Sequence, residues 1–212
     1  VLKEYIEALR IVVCERIRIQ SSVLFANKPF DALLISIQNK KLHIISNHKK
    51  NIYMKQLTTA INYLLVQLDE LTTLEQELVK KAIDATQNSY ARYSNFHVGA
   101  ACLLENNQII IGANQENAAF PSGLCAERTA IFAAQANYPD QPVIALAIAA
   151  KNANGLLKTP ISPCGACRQV ILEIEDRYQR PIRILLYGTE GILVFDSIKD
   201  LLPFSFVDAN MR

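Results

Sequence analysis

The hydrophobic pattern becomes regular near residue 71, where a helical segment precedes two strand-like ones. Between residues 71 and 90, apolar residues recur on one helical face, and Thr72 with Glu75 forms the capping-box pattern that opens a helix. Apolar runs at 98–104 and 108–113 are separated by a polar Glu-Asn-Asn turn. This arrangement predicts an amphipathic helix followed by a β-hairpin.

The remainder of the chain alternates between helices and uninterrupted apolar runs of strand length. The predicted segments are a helix at 125–136, a strand at 143–150, a helix at 164–178, strands at 182–188 and 192–195, and a short closing helix near 197–202. Buried strands that alternate with helices are typical of a layered α/β sheet with helices on both faces, rather than of a barrel or sandwich.

The first 53 residues fit this pattern poorly and carry no motif that we can assign. They contain nine Lys/Arg against four Asp/Glu, but these charges are scattered among apolar residues rather than clustered with aromatic residues. We therefore do not expect nucleic-acid binding there. Our hypothesis is that residues 1–53 form an N-terminal extension and that residues 54–212, opening at Met54, form the catalytic unit.

The composition predicts an ordinary globular protein. Half of the residues are hydrophobic and a fifth are charged. No run of about 18 apolar residues occurs, and charged residues interrupt the start of the chain. We expect neither a membrane span nor a secretion signal, and hence a cytoplasmic protein.

Cysteine is the most informative residue type. The chain has five cysteines, and an odd number argues against a disulfide framework. Cys125, Cys164 and Cys167 lie in polar contexts marked by Pro and Gly, whereas Cys14 and Cys102 stand alone. Three thiolates with a fourth position open for water are a ligand set typical of catalytic zinc.

The Cys-x-x-Cys pair alone has other interpretations, namely a redox pair or half of a structural zinc clip. No fourth ligand lies near in sequence, although His97 could approach in the fold. Glu127, two residues beyond Cys125, favours catalysis, because a carboxylate beside a metal-bound water can take its proton. Zinc deaminases carry a ligand, one residue, Glu, and later Pro-Cys-x-x-Cys, and this chain matches that pattern.

A site with three thiolates needs positive charge nearby. Zinc with three thiolates has a net charge of about −1, which weakens its ability to acidify water. Arg128, adjacent to Glu127, and the two helix N-termini are the candidates to compensate. The alternative for Arg128 is an ordinary surface charge.

With these motifs in place, residues from about 70 to 206 resemble the small three-cysteine cytidine deaminases of pyrimidine salvage. The resemblance covers about two-thirds of the chain. Its blocks are YSNFHVGAA at 93–101, NQENAAFPSGLCAERTA at 114–130, SPCGACRQVI at 162–171 and LLPFSF at 201–206. It implies a three-layer α/β/α fold with a central mixed β-sheet, and Zn²⁺ as the cofactor.

The resemblance also implies residue roles. In that family, the residues matching Asn114 and Glu116 hold the ribose hydroxyls, and the one matching Phe96 stacks on the pyrimidine; the alternatives here are a local turn and core packing. Ala126 is implied as a further substrate contact. Phe206 matches an aromatic residue that reaches a neighbouring subunit's site, which implies a homotetramer with shared sites.

The function implied is hydrolysis of cytidine and deoxycytidine to uridine and deoxyuridine with release of ammonia. Zinc hydroxide would attack C4 while Glu127 shuttles protons. Alternatives are deamination of another aminopyrimidine nucleoside and a zinc-stabilised binding module without catalysis, although such a module needs no proton shuttle. A polynucleotide substrate is disfavoured, because residues 54–212 carry thirteen Lys/Arg against sixteen Asp/Glu. We expect a small nucleoside as partner, without nucleic acid or membrane.

Overall fold

The computed structural model describes residues 56–212, so the predicted extension at 1–53 lies outside the described residues. Residues Thr59–Arg212 form one compact unit. Its strands are β1 Leu64–Val66, β2 His97–Leu104, β3 Ile109–Ala113, β4 Val143–Asn152, β5 Gly155–Leu156, β6 Arg183–Gly188 and β7 Gly191–Phe195. Its α-helices are α1 Thr73–Ala85, α2 Ala126–Asn137 and α3 Gly165–Tyr178. Short 3₁₀ helices are Leu68–Glu70, Thr86–Asn88, Phe120–Ser122, Ile198–Asp200 and Asp208–Met211.

The strands form one mixed sheet in the order β1-β7-β6-β4-β2-β3, with β5 paired to β4. Strands β2 and β3 form the predicted hairpin, and β4 and β6 are parallel, joined by the crossover through α3. The other pairs are antiparallel. The predicted mixed central sheet is therefore confirmed.

Helices cover both faces of this sheet because its central strands bury residues on each side. In β2, Ala100 and Cys102 face one apolar cluster, which also includes residues of α2 and α3. Ala101 and Leu103 face the opposite cluster, which includes residues of α1. The side-chain period of two thus divides the core into two layers and gives the predicted three-layer α/β/α arrangement.

Two glycines allow helices to lie directly on the sheet. A Cβ at Gly99 would stand 2.1 Å from the backbone oxygen of Ala82 in α1. A Cβ at Gly112 of β3 would stand 2.3 Å from the backbone nitrogen of Ala130 in α2. The second contact fixes α2, and hence its N-terminal end, against the hairpin.

The prediction was wrong at several boundaries. The helix predicted to reach residue 90 ends at Ala85, where Thr86 is buried and its hydroxyl donates to the carbonyl of Ile83. The closing helix near 197–202 is only the 3₁₀ turn Ile198–Asp200. Strands β1 and β5 were not predicted. Within residues 56–212, no helix is long and apolar enough to cross a bilayer.

Candidate active site

The three motif cysteines come together where two helices begin. The Sγ atoms of Cys125 and Cys164 lie 3.8 Å apart, and those of Cys164 and Cys167 lie 3.4 Å apart. All three sulfur atoms lie within 4.8 Å of one another. Residues 39 positions apart in the sequence therefore share one cluster.

This cluster fits a zinc ion. With Zn–S bonds of about 2.3 Å, tetrahedral geometry separates two sulfur ligands by about 3.8 Å. The observed distances lie close to that value, and the ligands are soft donors of the kind zinc prefers. His97 is not part of this cluster, and its Nδ1 instead contacts the Ser89 hydroxyl at 2.5 Å. Among residues 56–212, three cysteines thus form the candidate metal site and leave a fourth position for water.

The local sequence explains why two thiols point toward this position. Cys125 is the N-cap residue of α2, and Cys164 is the N-cap residue of α3. Neither helix has a side-chain cap, so unpaired backbone N–H groups and the positive end of each helix dipole favour anionic sulfur there. The hydrogen bond with Cys167, helped by one from Arg128, lowers the pKa of Cys125 to about 5.

Glu127 lies in the first turn of α2, and its side chain is almost wholly buried. The residue is 5 % exposed, and burial raises the pKa of its carboxyl, with the nearby Cys125 charge acting in the same direction. A carboxyl whose pKa lies above its usual range is suited to accept and return protons near neutral pH.

Arg128 supplies a positive charge beside the sulfur atoms. Its Nη2 lies 3.5 Å from the Sγ of Cys125, and this contact raises the pKa of the guanidinium. The structure thus places Arg128 at the cluster rather than on a remote surface. Such a cation offsets part of the negative charge of three thiolates.

A cavity of about 480 Å³ opens over the cysteine cluster. Of the predicted site residues, it is lined by Phe96, Asn114, Glu116, Cys125, Ala126, Glu127 and Cys164. The remaining lining residues are Tyr93, Ser94, Val98, Gln115, Asn117, Phe120, Gly123, Leu124, Ile161 and Ser162. Among the residues that the structure describes, no Lys or Arg lines this cavity.

Asn114 and Glu116 hold the segment 93–98 along the cavity wall. The Asn114 amide accepts from the backbone N–H of Val98 at 2.8 Å and donates to the carbonyl of Phe96 at 2.9 Å. The Glu116 carboxylate accepts from the backbone N–H of Tyr93 at 2.7 Å and from the Ser94 hydroxyl at 2.5 Å. The hydrogen bond from that hydroxyl is the main cause that lowers the pKa of Glu116.

Other singled-out cysteines and aromatic residues lie elsewhere. Phe206 is 58 % exposed and lies outside the cavity, while its backbone carbonyl accepts from Gln169 Nε2. Cys102 is wholly buried in the sheet, as expected for a small hydrophobic residue. Cys14 lies outside the described residues.

Sequence reasoning gave no role to three residues that the structure brings to the site. Ser94 binds Glu116, Phe120 packs edge-on against Tyr93 with ring centroids 5.8 Å apart, and Arg168 spans two carbonyls near Cys164. Ser94 and Arg168 both lie inside the motif blocks, within two residues of Phe96 and Cys167, which had roles. Proximity in the motif was the available signal, but their partners lie 22 and 33 residues away along the chain.

Comparison with known proteins agrees with this geometry. The family model described as "Cytidine and deoxycytidylate deaminase zinc-binding region" matches residues 72–179, which include the three cysteines and Glu127. A cytidine deaminase of Halalkalibacterium halodurans is 38 % identical over 137 residues, 65 % of this chain and 97 % of the relative. One from Sporosarcina psychrophila is 37 % identical over 131 residues, 62 % of this chain and 90 % of the relative.

The fold comparison leads to the same group. The crystal structure of cytidine deaminase from Burkholderia pseudomallei matches with a TM-score of 0.54 and 37 % identity, covering 64 % of this chain and all of that one. Sequence, fold and the cysteine cluster agree, and this chain belongs to the zinc-binding cytidine and deoxycytidylate deaminase family.

Proposed function

We propose that this enzyme hydrolyses cytidine and deoxycytidine to uridine and deoxyuridine and releases ammonia. The observation that carries the proposal is a cluster of three thiols beside a cavity that Cys125, Cys164 and the buried Glu127 line. Asn114 and Glu116 form another part of the wall of that cavity. Few other chemistries need a soft-metal site and a proton-transfer carboxyl side by side.

Cys125, Cys164 and Cys167 would hold the zinc ion. Bound zinc lowers the pKa of a coordinated water and so makes a nucleophile available near neutral pH. Glu127 takes a proton from the attacking water and passes protons to the ring nitrogen N3 and to the leaving amine. A bond from C4 to oxygen forms, the bond from C4 to the exocyclic nitrogen breaks, and cytidine plus water gives uridine plus ammonia.

The cavity wall supports a nucleoside as substrate. Asn114 and Glu116 keep hydrogen-bonding capacity beyond their contacts with segment 93–98, since a carboxylate has about four acceptor sites and an amide two donor hydrogens. We assign them to the sugar hydroxyls, Phe96 to the face of the pyrimidine and Ala126 to the wall beside it. Because the lining formed by residues 56–212 contains Glu116 but no Lys or Arg, a nucleotide phosphate would lack a cationic partner among them.

The test is product formation from matched substrates. Cytidine, deoxycytidine and deoxycytidine monophosphate are incubated separately with the purified full chain, and ammonia and the uracil product are quantified. We expect turnover of the two nucleosides and little of the nucleotide. Equal or faster turnover of the nucleotide would contradict the nucleoside assignment, and no turnover of any would contradict the proposed function.

We also propose a homotetramer in which Phe206 reaches the cavity of a neighbouring subunit. Support comes from large apolar side chains that remain exposed in the single chain: Phe120, Leu124, Phe132, Phe204 and Phe206. Light scattering coupled to gel filtration should give about four times the 23.7 kDa chain mass. Mixing Glu127→Ala subunits with Phe206→Ala subunits should restore activity, because some sites then contain an intact Glu127 from one subunit and an intact Phe206 from its neighbour. A monomer in light scattering, or no restored activity on mixing, would contradict shared sites.

Two further proposals concern the native protein. Residues 54–212 are assigned as the catalytic unit, since the family match lies wholly within them. Mass spectrometry of the protein from its own cell checks whether residues 1–53 are retained.

The cytoplasm is assigned as the compartment, because three metal-binding thiols must stay reduced. Cell fractionation would test this.

A further inference from the structure

The Arg168 side chain contacts the chain just before α3 begins. Its Nε donates to the carbonyl of Pro163 at 2.8 Å. The backbone N–H of Arg168 makes only the ordinary helical bond to the carbonyl of Cys164, four residues earlier. Because the Pro163 carbonyl belongs to the peptide that leads into Cys164, the side-chain bond restrains the backbone from which the Cys164 thiol extends.

The same guanidinium reaches a distant part of the chain. Its Nη1 donates to the carbonyl of Leu201 at 2.7 Å, at the start of the segment 201–212, which we call the C-terminal segment. The neighbouring Gln169 donates to the carbonyl of Phe206 in this segment at 2.8 Å. The first turn of α3 is thereby tied to the segment that carries the proposed intersubunit aromatic residue.

We propose that Arg168 is a positioning residue that clamps the Cys164 turn to the C-terminal segment and thereby slows release of zinc. The inference rests on the proposed zinc site. The side-chain hydrogen bonds of Arg168 go to backbone carbonyls, so it acts through the backbone that orients Cys164. Hydrogen bonds from a charged donor are stronger than neutral ones, and the planar guanidinium can serve two carbonyls at once.

The experiment measures zinc release from full-length Arg168→Gln to a chromogenic chelator, at a temperature where far-UV circular dichroism is unchanged. Residues that orient metal ligands typically contribute about 10- to 100-fold to metal affinity, and we expect faster release in that range. Arg168→Lys keeps the charge, but its single ammonium cannot span both carbonyls, so its release rate should lie between those of wild type and Arg168→Gln.

Two control variants separate this role from general stability. Arg177→Gln removes a guanidinium from the far end of the same helix, where it contacts Gln135, and should release zinc at the wild-type rate. Val79→Ala removes two methyl groups from the apolar cluster on the opposite face of the sheet, where Val79 of α1 is wholly buried. It lowers global stability without touching the Cys164 turn or the C-terminal segment, and should also leave release unchanged.

The second half of the clamp has its own readout. Amide hydrogen exchange at residues 201–207 should be faster in Arg168→Gln than in wild type. A release rate for Arg168→Gln equal to that of wild type, or equal acceleration by Val79→Ala, would overturn the positioning role. Unchanged exchange would overturn the link to the C-terminal segment. If Arg168→Gln fails to fold, Arg168→Lys decides in the same way. A wild-type chain that binds no zinc would instead contradict the proposed function, and the inference with it.

Discussion

The two walls of the cavity differ in how their polar side chains are paired. The thiol wall, consisting of Cys125, Glu127 and Cys164 with Cys167 buried behind it, collects potential negative charge at two helix starts, and Arg128 contacts it as a cation. The polar wall, consisting of Ser94, Asn114 and Glu116, is already paired, because its side chains bind one another or the backbone of segment 93–98.

This difference assigns the chemical step to the thiol wall and substrate binding to the polar wall. A cluster of soft anionic donors around a raised-pKa carboxyl is completed by a metal cation, and its residues should therefore act on the rate of the chemical step. Groups held in place before substrate arrives lose little freedom on binding, so the polar wall should act on substrate affinity. Variants in the two walls should thus change kcat and KM in different proportions.

The largest effect should come from Glu127→Gln. Loss of the proton shuttle should lower kcat by about 10²- to 10⁴-fold while zinc content stays at the wild-type level. Steady-state kinetics with metal analysis measures both. The matched control is Glu175→Gln, another buried glutamate, 4 % exposed, which is hydrogen-bonded to the backbone away from the cavity. If Glu127→Gln kept most of the wild-type kcat, the assignment of the chemical step to the thiol wall would be wrong.

A second effect concerns the reactivity of Cys125 in metal-free, reduced protein. With its pKa lowered to about 5, the thiol is ionised above that pH and protonated below it. Alkylation at pH 6 should therefore be about 10- to 100-fold faster than for an ordinary exposed thiol, and should decline as the pH falls through about 5. Peptide mapping after iodoacetamide provides the rates, with buried Cys102, whose pKa is raised by burial, as the slow internal reference. Reactivity that still rises steeply between pH 7 and 9 would disagree with this picture.

In the polar wall, Glu116→Gln should lower kcat/KM by about 10- to 100-fold, the range for a hydrogen bond to a charged group. The loss should lie mainly in KM, because the contact is made in the ground state as well as the transition state. Kinetics with cytidine and with 2′,3′-dideoxycytidine tests this. The loss of kcat/KM caused by Glu116→Gln should be smaller for the analogue, which lacks the ring hydroxyls. A loss confined to kcat would place Glu116 with the chemistry instead.

The smallest effect is expected for Ser94→Ala. Loss of its hydrogen bond to Glu116 should raise KM by about 2- to 10-fold. In a double-mutant cycle with Glu116→Gln, the second substitution should add little, because Ser94 acts through that carboxylate. Ser122→Ala is the control, since its hydroxyl donates to the carbonyl of Ala119 in the 3₁₀ turn. Full additivity would show that the two residues act independently.

Local patterns predicted most of the fold because the elements are long and strongly periodic. The capping box at Thr72 and the apolar runs of β2, β4 and β6 are confirmed within a residue or two. Strands β1 and β5 escaped prediction because they are short and exist only through pairing with β7 and β4. Their stability comes from partners that a local window does not contain.

The same distinction applies to the site. The zinc cluster was predictable because Cys125, Glu127, Cys164 and Cys167 have strict chemical requirements that leave a recognisable spacing. The contact between Ser94 and Glu116, and that between Arg168 and Leu201, are ordinary hydrogen bonds whose partners are set by tertiary structure. Many sequence patterns would allow such contacts, so the sequence alone does not select them.

Removal and return of zinc tests the central claim most directly. The full chain is stripped with a chelator under reducing conditions, and ammonia release from cytidine and the thermal midpoint are measured before and after zinc is restored. We expect activity to vanish and return with one zinc per chain. Zinc at about 1,000 times its Kd adds about 4 kcal/mol of stability, which for a domain of this size raises Tm by about 8–16 °C. Full cytidine turnover by protein shown to contain no metal would contradict the account.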